Sequence, residues 1–215
     1  MRALSSIVLL LAIAGHVRAE GAKEAQALFE AMQAKLAAAK TLQVHFTATK
    51  VSAKGNQRPE RRGVMRLGAT QVLVVAWDPE EAKKGSGFRD WSLMELDAVD
   101  YRAAFTRLSI STRREYTFPK EGPKLTSTAF ALGPAVEEGD RKLQVVEFTT
   151  PTSMGDVRIK LWIDTATKLP VRRELKDQDG NAHTEAYSSI ELDPDLGPDA
   201  FAEDALKEPP WSRDE

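Results

Sequence analysis

The residues able to do chemistry in this chain are few and scattered. There are three histidines, His16, His45 and His183, and no cysteine. His45 falls on the polar face of one predicted strand and His183 on the outer face of another. Neither has a second histidine or a thiolate at ligand spacing, so no metal site is expected. Carboxylates are plentiful, but Glu80-Glu81, Glu137-Glu138 and Asp177/Asp179 fall in loops or on exposed faces. Nothing in their spacing brings two together as a glycosidase requires. Asp177-Gln178-Asp179-Gly180-Asn181 lacks the later glutamate of a calcium loop and reads as a hairpin turn. There is no Gly-x-Ser-x-Gly elbow and no Gly-rich phosphate loop ending in Lys-Ser/Thr; Gly85-Ser86-Gly87 reads as a plain loop. No catalytic residue, cofactor or metal is expected, and the chain reads as a binding protein, not an enzyme. Arg58, Arg61, Arg62 and Arg66 form a local basic cluster. It reads first as a solvated hairpin, and otherwise as a surface for an acidic partner or anionic lipid.

The elements that must position any site are clearest at the C-terminal end. Val157, Ile159, Leu161 and Ile163 alternate with Arg158, Lys160 and Trp162, which predicts a strand with one apolar face. Val171–Lys176 follows as a second strand, and the Asp-Gly step at 179–180 turns the chain into a third, 182–192. In that third strand Ala182, Thr184, Ala186, Ser188, Ile190 and Leu192 are expected on one face. His183, Glu185, Tyr187, Ser189 and Glu191 are expected on the other.

Upstream, Ala25, Leu28, Phe29, Met32, Leu36 and Ala39 recur at helical spacing within 22–40 and predict an amphipathic helix. Leu42–Val51 alternates as a strand, 52–62 is a polar hairpin loop, and 63–67 is a further strand. The run Val72–Trp77 is apolar on both sides, as a strand covered on both faces must be. Between 78 and 135 the pattern is least regular: a helix is predicted over 91–108, a strand over 113–119, and a strand or short helix over 125–132. Residues 133–140 read as a loop and 142–150 as a strand. With mostly antiparallel strands and few helices, the fold class is α+β, a curved sheet with helices against its concave side.

Met1–Ala19 has a positive start, an apolar run from Ile7 to Ala14, and small residues at 17 and 19. This predicts a secretory signal peptide cleaved after Ala19. A single domain is expected over 20–206, with a tail at 207–215. The formal charge of −2 carries no basic excess, which argues against nucleic acid as a partner. Lipid tails ask only for a dry apolar cavity and leave no sharp motif. If the concave face binds them, its expected lining is Val44, Phe46, Met65, Leu67, Leu73, Val75, Trp77, Trp91, Phe105, Phe130, Phe148, Ile159, Leu161 and Ile163.

Four stretches carry a resemblance. They are the N-terminal amphipathic helix, Leu42-Gln43-Val44-His45-Phe46-Thr47-Ala48, the strand Gly63-Val64-Met65-Arg66-Leu67, and the closing meander. The meander holds Ile163-Asp164-x-x-Thr167-x-Leu169-Pro170, Asp179-Gly180, Tyr187-x-x-Ile190 and Phe201. Together they resemble the LolA/LolB-type family, periplasmic carriers of outer-membrane lipoproteins. The resemblance implies an unclosed β-barrel, with helices covering a cavity on its concave face that shields acyl chains. It also implies a periplasmic location, lipoprotein or lipid acyl chains as ligands, membrane-associated loading and accepting proteins as partners, and a monomer. The family's Arg-Pro step is replaced here by Gly68-Ala69-Thr70-Gln71-Val72-Leu73, so no arginine switch is carried over. The second reading on this fold is a protein-interaction or envelope-stress sensor module, without transport.

Overall fold

The computed structural model describes residues 4–68, 71–80, 89–95, 127–152, 155–202 and 205–206, with backbone alone for 4–18, 89–95 and 152. Among these residues one helix, α1 (Leu4–Ala38), precedes nine strands. These are β1 (Leu42–Val51), β2 (Arg61–Leu67), β3 (Gln71–Trp77), β4 (Arg89–Glu95) and β5 (Thr128–Glu138). They continue with β6 (Arg141–Thr152), β7 (Gly155–Asp164), β8 (Pro170–Lys176) and β9 (Ala182–Leu192). Every pairing is antiparallel, in the order β4-β3-β2-β1-β9-β8-β7-β6-β5.

Two meanders are therefore joined where the first strand meets the last. Among the described residues nothing pairs β4 with β5, so the sheet is an unclosed barrel of the α+β class. Two buried clusters follow from the alternation of side chains across it. The larger one lies on the concave face. Ala25, Phe29, Met32 and Leu36 of α1 are spaced four, three and four apart and are at most 2% exposed. That stripe packs into the same cluster as Leu42, Val44, Phe46, Met65, Leu67, Phe148, Ile159, Leu161 and Ile163. α1 itself lies over β5 and β6. The smaller cluster, Val64, Leu73, Val75 and Trp77, lies on the convex face, under Phe201, Ala205 and Leu206.

Close packing of β1, β2 and β3 depends on a glycine. A Cβ on Gly63 would stand 2.4 Å from Phe46 Cζ and 2.5 Å from the Val75 carbonyl oxygen. The register sets Gly63 opposite Phe46, so the ring occupies the space a side chain would need. The β8–β9 hairpin is closed by Gly180 at φ +88°. There Asp177 Oδ1 accepts the Asn181 N–H at 2.8 Å.

The structure departs from the sequence reading at two elements of the sheet. Residues 91–95, predicted helical, belong to β4, paired along all of β3. Polar Asp90 and Ser92 alternate with Trp91 and Leu93, and pairing satisfies a row of β3 backbone groups that would otherwise be bare. Residues 133–138, predicted as loop from Gly133-Pro134, continue β5 to Glu138. β5 is an edge, where the missing proline N–H costs no ladder bond, and its register slips at 128/131 and 132/135 absorb the irregularity. Residues 96–108 of the predicted helix, the predicted strand 113–119, and 125–126 lie outside the described residues. The structure also shows one helix on the concave face among the described residues, where helices in the plural were expected.

Candidate functional site

The site is a trough, the concave face of the sheet beneath α1. The pairing register lays its side chains out in rows. One row runs Leu192, Leu42, Leu67, Val72, and the next Ile190, Val44, Met65, Val74. A third crosses the other half as Phe148, Ile159, Leu175, His183, Lys50, and a fourth as Leu132, Val146, Leu161, Arg173, Glu185, Ala48, Arg61. The first two rows are apolar throughout. The last two begin apolar and end in charge.

α1 closes on this face through aromatic rings. Phe29 stands 4.8 Å from Phe148 and 5.4 Å from Phe130, centroid to centroid, and Phe130 stacks on Phe148 at 5.3 Å. Such tilted and offset contacts stabilise the interface beyond the area they bury.

The charged end is an ordered network. The Glu185 carboxylate accepts hydrogen bonds from Arg173 Nη2 and from Tyr187 Oη (2.9 Å), and its second oxygen lies 2.7 Å from His183 Nε2. Arg173 and Glu185 are wholly buried. Burial pushes the Glu185 carboxyl up, but the Arg173 charge, the His183 contact and the Tyr187 hydroxyl outweigh it and hold it below the usual carboxylate range.

This network corrects the expectation for β9. His183, Glu185 and Tyr187 face the trough, not the outside. The register between β1 and β9 shifts at His45/Phe46, so that Val44 faces Ile190 and Phe46 faces Tyr187. One extra β9 residue between those pairs moves everything before it to the opposite face. A strict period of two run through the whole strand therefore inverts its first half. Glu185 and Arg173 themselves look like ordinary surface charges in the sequence. The β9 bulge brings Glu185 inside, and no turn residue marks it, whereas Arg173 shares the inward face of β8 with Leu175 by plain alternation.

Of the expected lining, Val44, Phe46, Met65, Leu67, Phe148, Ile159, Leu161 and Ile163 come together in the trough cluster, with Phe130 partly buried against it. Leu73, Val75 and Trp77 do not join them. β3 is covered on both faces, and these three are on its convex side, in the smaller cluster. Trp91 stands opposite Val75 in the β3–β4 register; its side chain, and Phe105 altogether, lie outside the described residues. Phe29 is a trough residue the sequence placed on the helix stripe but not in the lining.

The basic hairpin is not one patch. Arg61 is on the concave side, opposite Ala48, whereas Arg62 stands opposite Trp77 and Thr47 on the convex side. Arg66, also convex, donates from Nε to Gln43 Oε1 (2.8 Å) and from Nη1 to the Ala200 carbonyl (3.1 Å). A groove of about 740 Å³ opens there between the sheet and 194–200, lined by Gln43, Arg66, Glu191 and Asp199 among others. Its volume would admit a ligand, but a charged lining is the wrong chemistry for an acyl chain. His45 lies 4.0 Å from Glu191 on this face, as its polar-face placement anticipates. Among the described residues no group of three His, Asp or Glu side chains could hold a metal ion.

No family model matches the chain, and no curated protein does. Among solved structures it is similar to a LolA-superfamily protein from Nitrosomonas europaea, at 14% identity over 81% of this chain and 97% of that one, with a TM-score of 0.36. It is similar to a putative outer-membrane lipoprotein-sorting protein domain from Vibrio parahaemolyticus, at 11% identity over 90% and 99%, TM-score 0.33. It is also similar to the Pseudomonas aeruginosa MucA/MucB complex structure, at 15% identity over 83% of this chain and 60% of that one, TM-score 0.38. Each of these likenesses is one of fold alone. The functional reading below stands on the trough itself.

Proposed function

We propose that this protein is a non-enzymatic periplasmic carrier that holds the acyl chains of a lipoprotein or lipid against its concave face and ferries them toward the outer membrane. The observation that carries the reading is the trough. Apolar rows run across the concave face of a sheet that is not closed, and α1 covers it through side-chain packing centred on Phe29. A ligand that replaces the α1 stripe with its own methylenes exchanges one apolar contact for another, so opening costs little once acyl chain is present. The N-terminal segment Met1–Ala19, read as a signal peptide, supports export to the periplasm.

The experiment is titration of the purified protein with a neutral fluorescent apolar probe, followed by displacement with acyl lipid. Saturable binding that lipid displaces supports the carrier. A protein that binds neither, and that instead retains one defined polypeptide from periplasm, supports the sensor reading. That reading expects its partner at the Arg58–Arg66 hairpin or at the exposed sheet edge, and the hairpin arginines are divided between the two faces of the sheet.

A further inference from the structure

At one end of the trough the apolar rows run into hydrogen-bonded charge. We propose that the network of Arg173, Glu185, His183 and Tyr187 is a fixed stop in the trough, which sets how long an acyl chain the protein accepts. The inference rests on the carrier reading and specifies its ligand as an acyl chain of bounded length.

Three features carry it. The first is convergence. Across the strands, the row Leu132, Val146, Leu161 runs into Arg173 and Glu185, and the row Phe148, Ile159, Leu175 runs into His183. Along β9, the trough-facing residues Leu192 and Ile190 give way to Tyr187, Glu185 and His183. A chain that follows the apolar surface in either direction meets the same group of side chains.

The second is bulk held in place. Arg173 is among the largest wholly buried side chains, and Glu185 is wholly buried beside it. The Glu185 carboxylate takes hydrogen bonds from Arg173 Nη2 and Tyr187 Oη and lies 2.7 Å from His183 Nε2. Charge-assisted bonds between buried groups fix rotamers that an apolar side chain is free to change. The α1 stripe of Ala25, Phe29, Met32 and Leu36 is apolar throughout, so its place can pass to an acyl chain. The place of the network cannot.

The third is the balance of energies. Each methylene moved from water onto apolar surface tightens binding roughly fourfold. A methylene that must push Arg173 or Glu185 aside breaks a charged hydrogen bond out of reach of water, and that loss exceeds the gain from several methylenes. Binding therefore improves with chain length only until the chain end reaches the network. Further methylenes stay outside the trough and add nothing.

The test uses the full chain loaded with the neutral probe 1-N-phenylnaphthylamine and displaced by monomeric lysophosphatidylcholines, in a series from hexanoyl to stearoyl. The displacing concentration is expected to fall roughly fourfold per methylene and then to level off at one chain length. In Arg173→Met/Glu185→Met, where flexible apolar side chains replace the pair, the levelling should move at least one step further along the series. In Phe201→Ala, loosened on the convex face instead, it should stay at the parent length. A fall that continues unbroken to stearoyl in the parent overturns the inference, whether or not the double variant folds. So does a levelling that stays put in Arg173→Met/Glu185→Met, or one that moves equally in Phe201→Ala. Each of these outcomes leaves the carrier reading intact. Failure of the probe to bind, or of every lipid in the series to displace it, would instead overturn the carrier reading beneath it.

Discussion

Glu185 stands directly opposite Arg173 across the β8–β9 pair, and both side chains are wholly buried. Removing one partner takes from the other buried charge the counterion that faces it across the strand pair. Arg173→Met should therefore cost about 3–5 kcal/mol. Arg173→Met/Glu185→Met should cost clearly less than the sum of the two single changes, because no orphan charge remains. Urea denaturation of the two single variants and the double variant measures this. Strict additivity would show that the pair is not energetically coupled.

Acid should weaken the fold from the carboxylate side. Glu185 is held low by Arg173, His183 and Tyr187 against its own burial. Asp164 is held low chiefly by the Thr167 N–H, against burial, with the Ala166 N–H adding to it; its Oδ1 accepts both, at 2.9 and 2.8 Å. A carboxyl whose folded pKa lies below its unfolded value contributes stability in full above the unfolded value. That contribution is lost as pH falls through the folded one. With unfolded values near 4, stability should be flat from about pH 7 to 5 and fall below about pH 4. Glu185→Gln should flatten the acid limb. A parent protein with equal stability at pH 6 and pH 3 would contradict the assignment.

Gly63 has no room for a side chain. A Cβ there would stand 2.4 Å from Phe46 Cζ and 2.5 Å from a backbone oxygen of β3. Gly63→Ala should cost about 1–3 kcal/mol, and Phe46→Leu in the same chain should recover part of it by shortening the ring side. Thermal melts of the three proteins decide the point. A Gly63→Ala protein as stable as the parent would mean that β2 and β3 part more easily than this packing implies.

The convex cluster depends on a segment that follows the last strand. Phe201 packs over Val64, Leu73, Val75 and Trp77, with a ring atom 3.0 Å from where a Gly68 Cβ would stand. Phe201 is only partly buried, so Phe201→Ala should cost about 1–2 kcal/mol, less than a core phenylalanine. It should also raise hydrogen exchange in β2 and β3 more than in β6 and β7. Uniform acceleration across the sheet would show that the segment does not cover β2 and β3 selectively.

Much of this fold is legible in the sequence where local pattern and turn chemistry agree. β1 and β9 have the predicted bounds, because Leu42–Val51 alternates cleanly and Asp-Gly fixes the hairpin before Ala182. β3 was predicted to be covered on both faces, and it is buried from Val72 to Trp77. What the pattern could not assign was which cover lies on which side. Leu73, Val75 and Trp77 therefore read as trough residues although Phe201 holds them on the convex face. β4 was missed because its Trp91 and Leu93 fit a helical stripe as readily as a strand, and only the bare backbone of β3 decides between them. The β9 side of the charged end, His183 and Glu185, is hidden by a single extra residue in that strand. A bulge leaves no mark in composition, yet it turns Glu185 from an apparent surface acid into the centre of a buried network.

The contact that most directly expresses the carrier account is between α1 and the sheet at Phe29, Phe130 and Phe148. Phe29→Ala removes the ring that closes the trough and should cost about 3–5 kcal/mol of stability. If the helix stripe and an acyl chain compete for the same surface, the surviving folded protein should bind apolar probe more tightly than the parent. Weaker probe binding by the folded variant would place the ligand somewhere other than beneath α1.

The central claim, that the concave face carries acyl chains, is tested most directly by native mass spectrometry of the protein purified gently from periplasm, followed by organic extraction. The account predicts an added mass that extracts as acyl lipid or as an acylated peptide. A protein that is bare at every preparation, or that carries only an unacylated polypeptide, would contradict it.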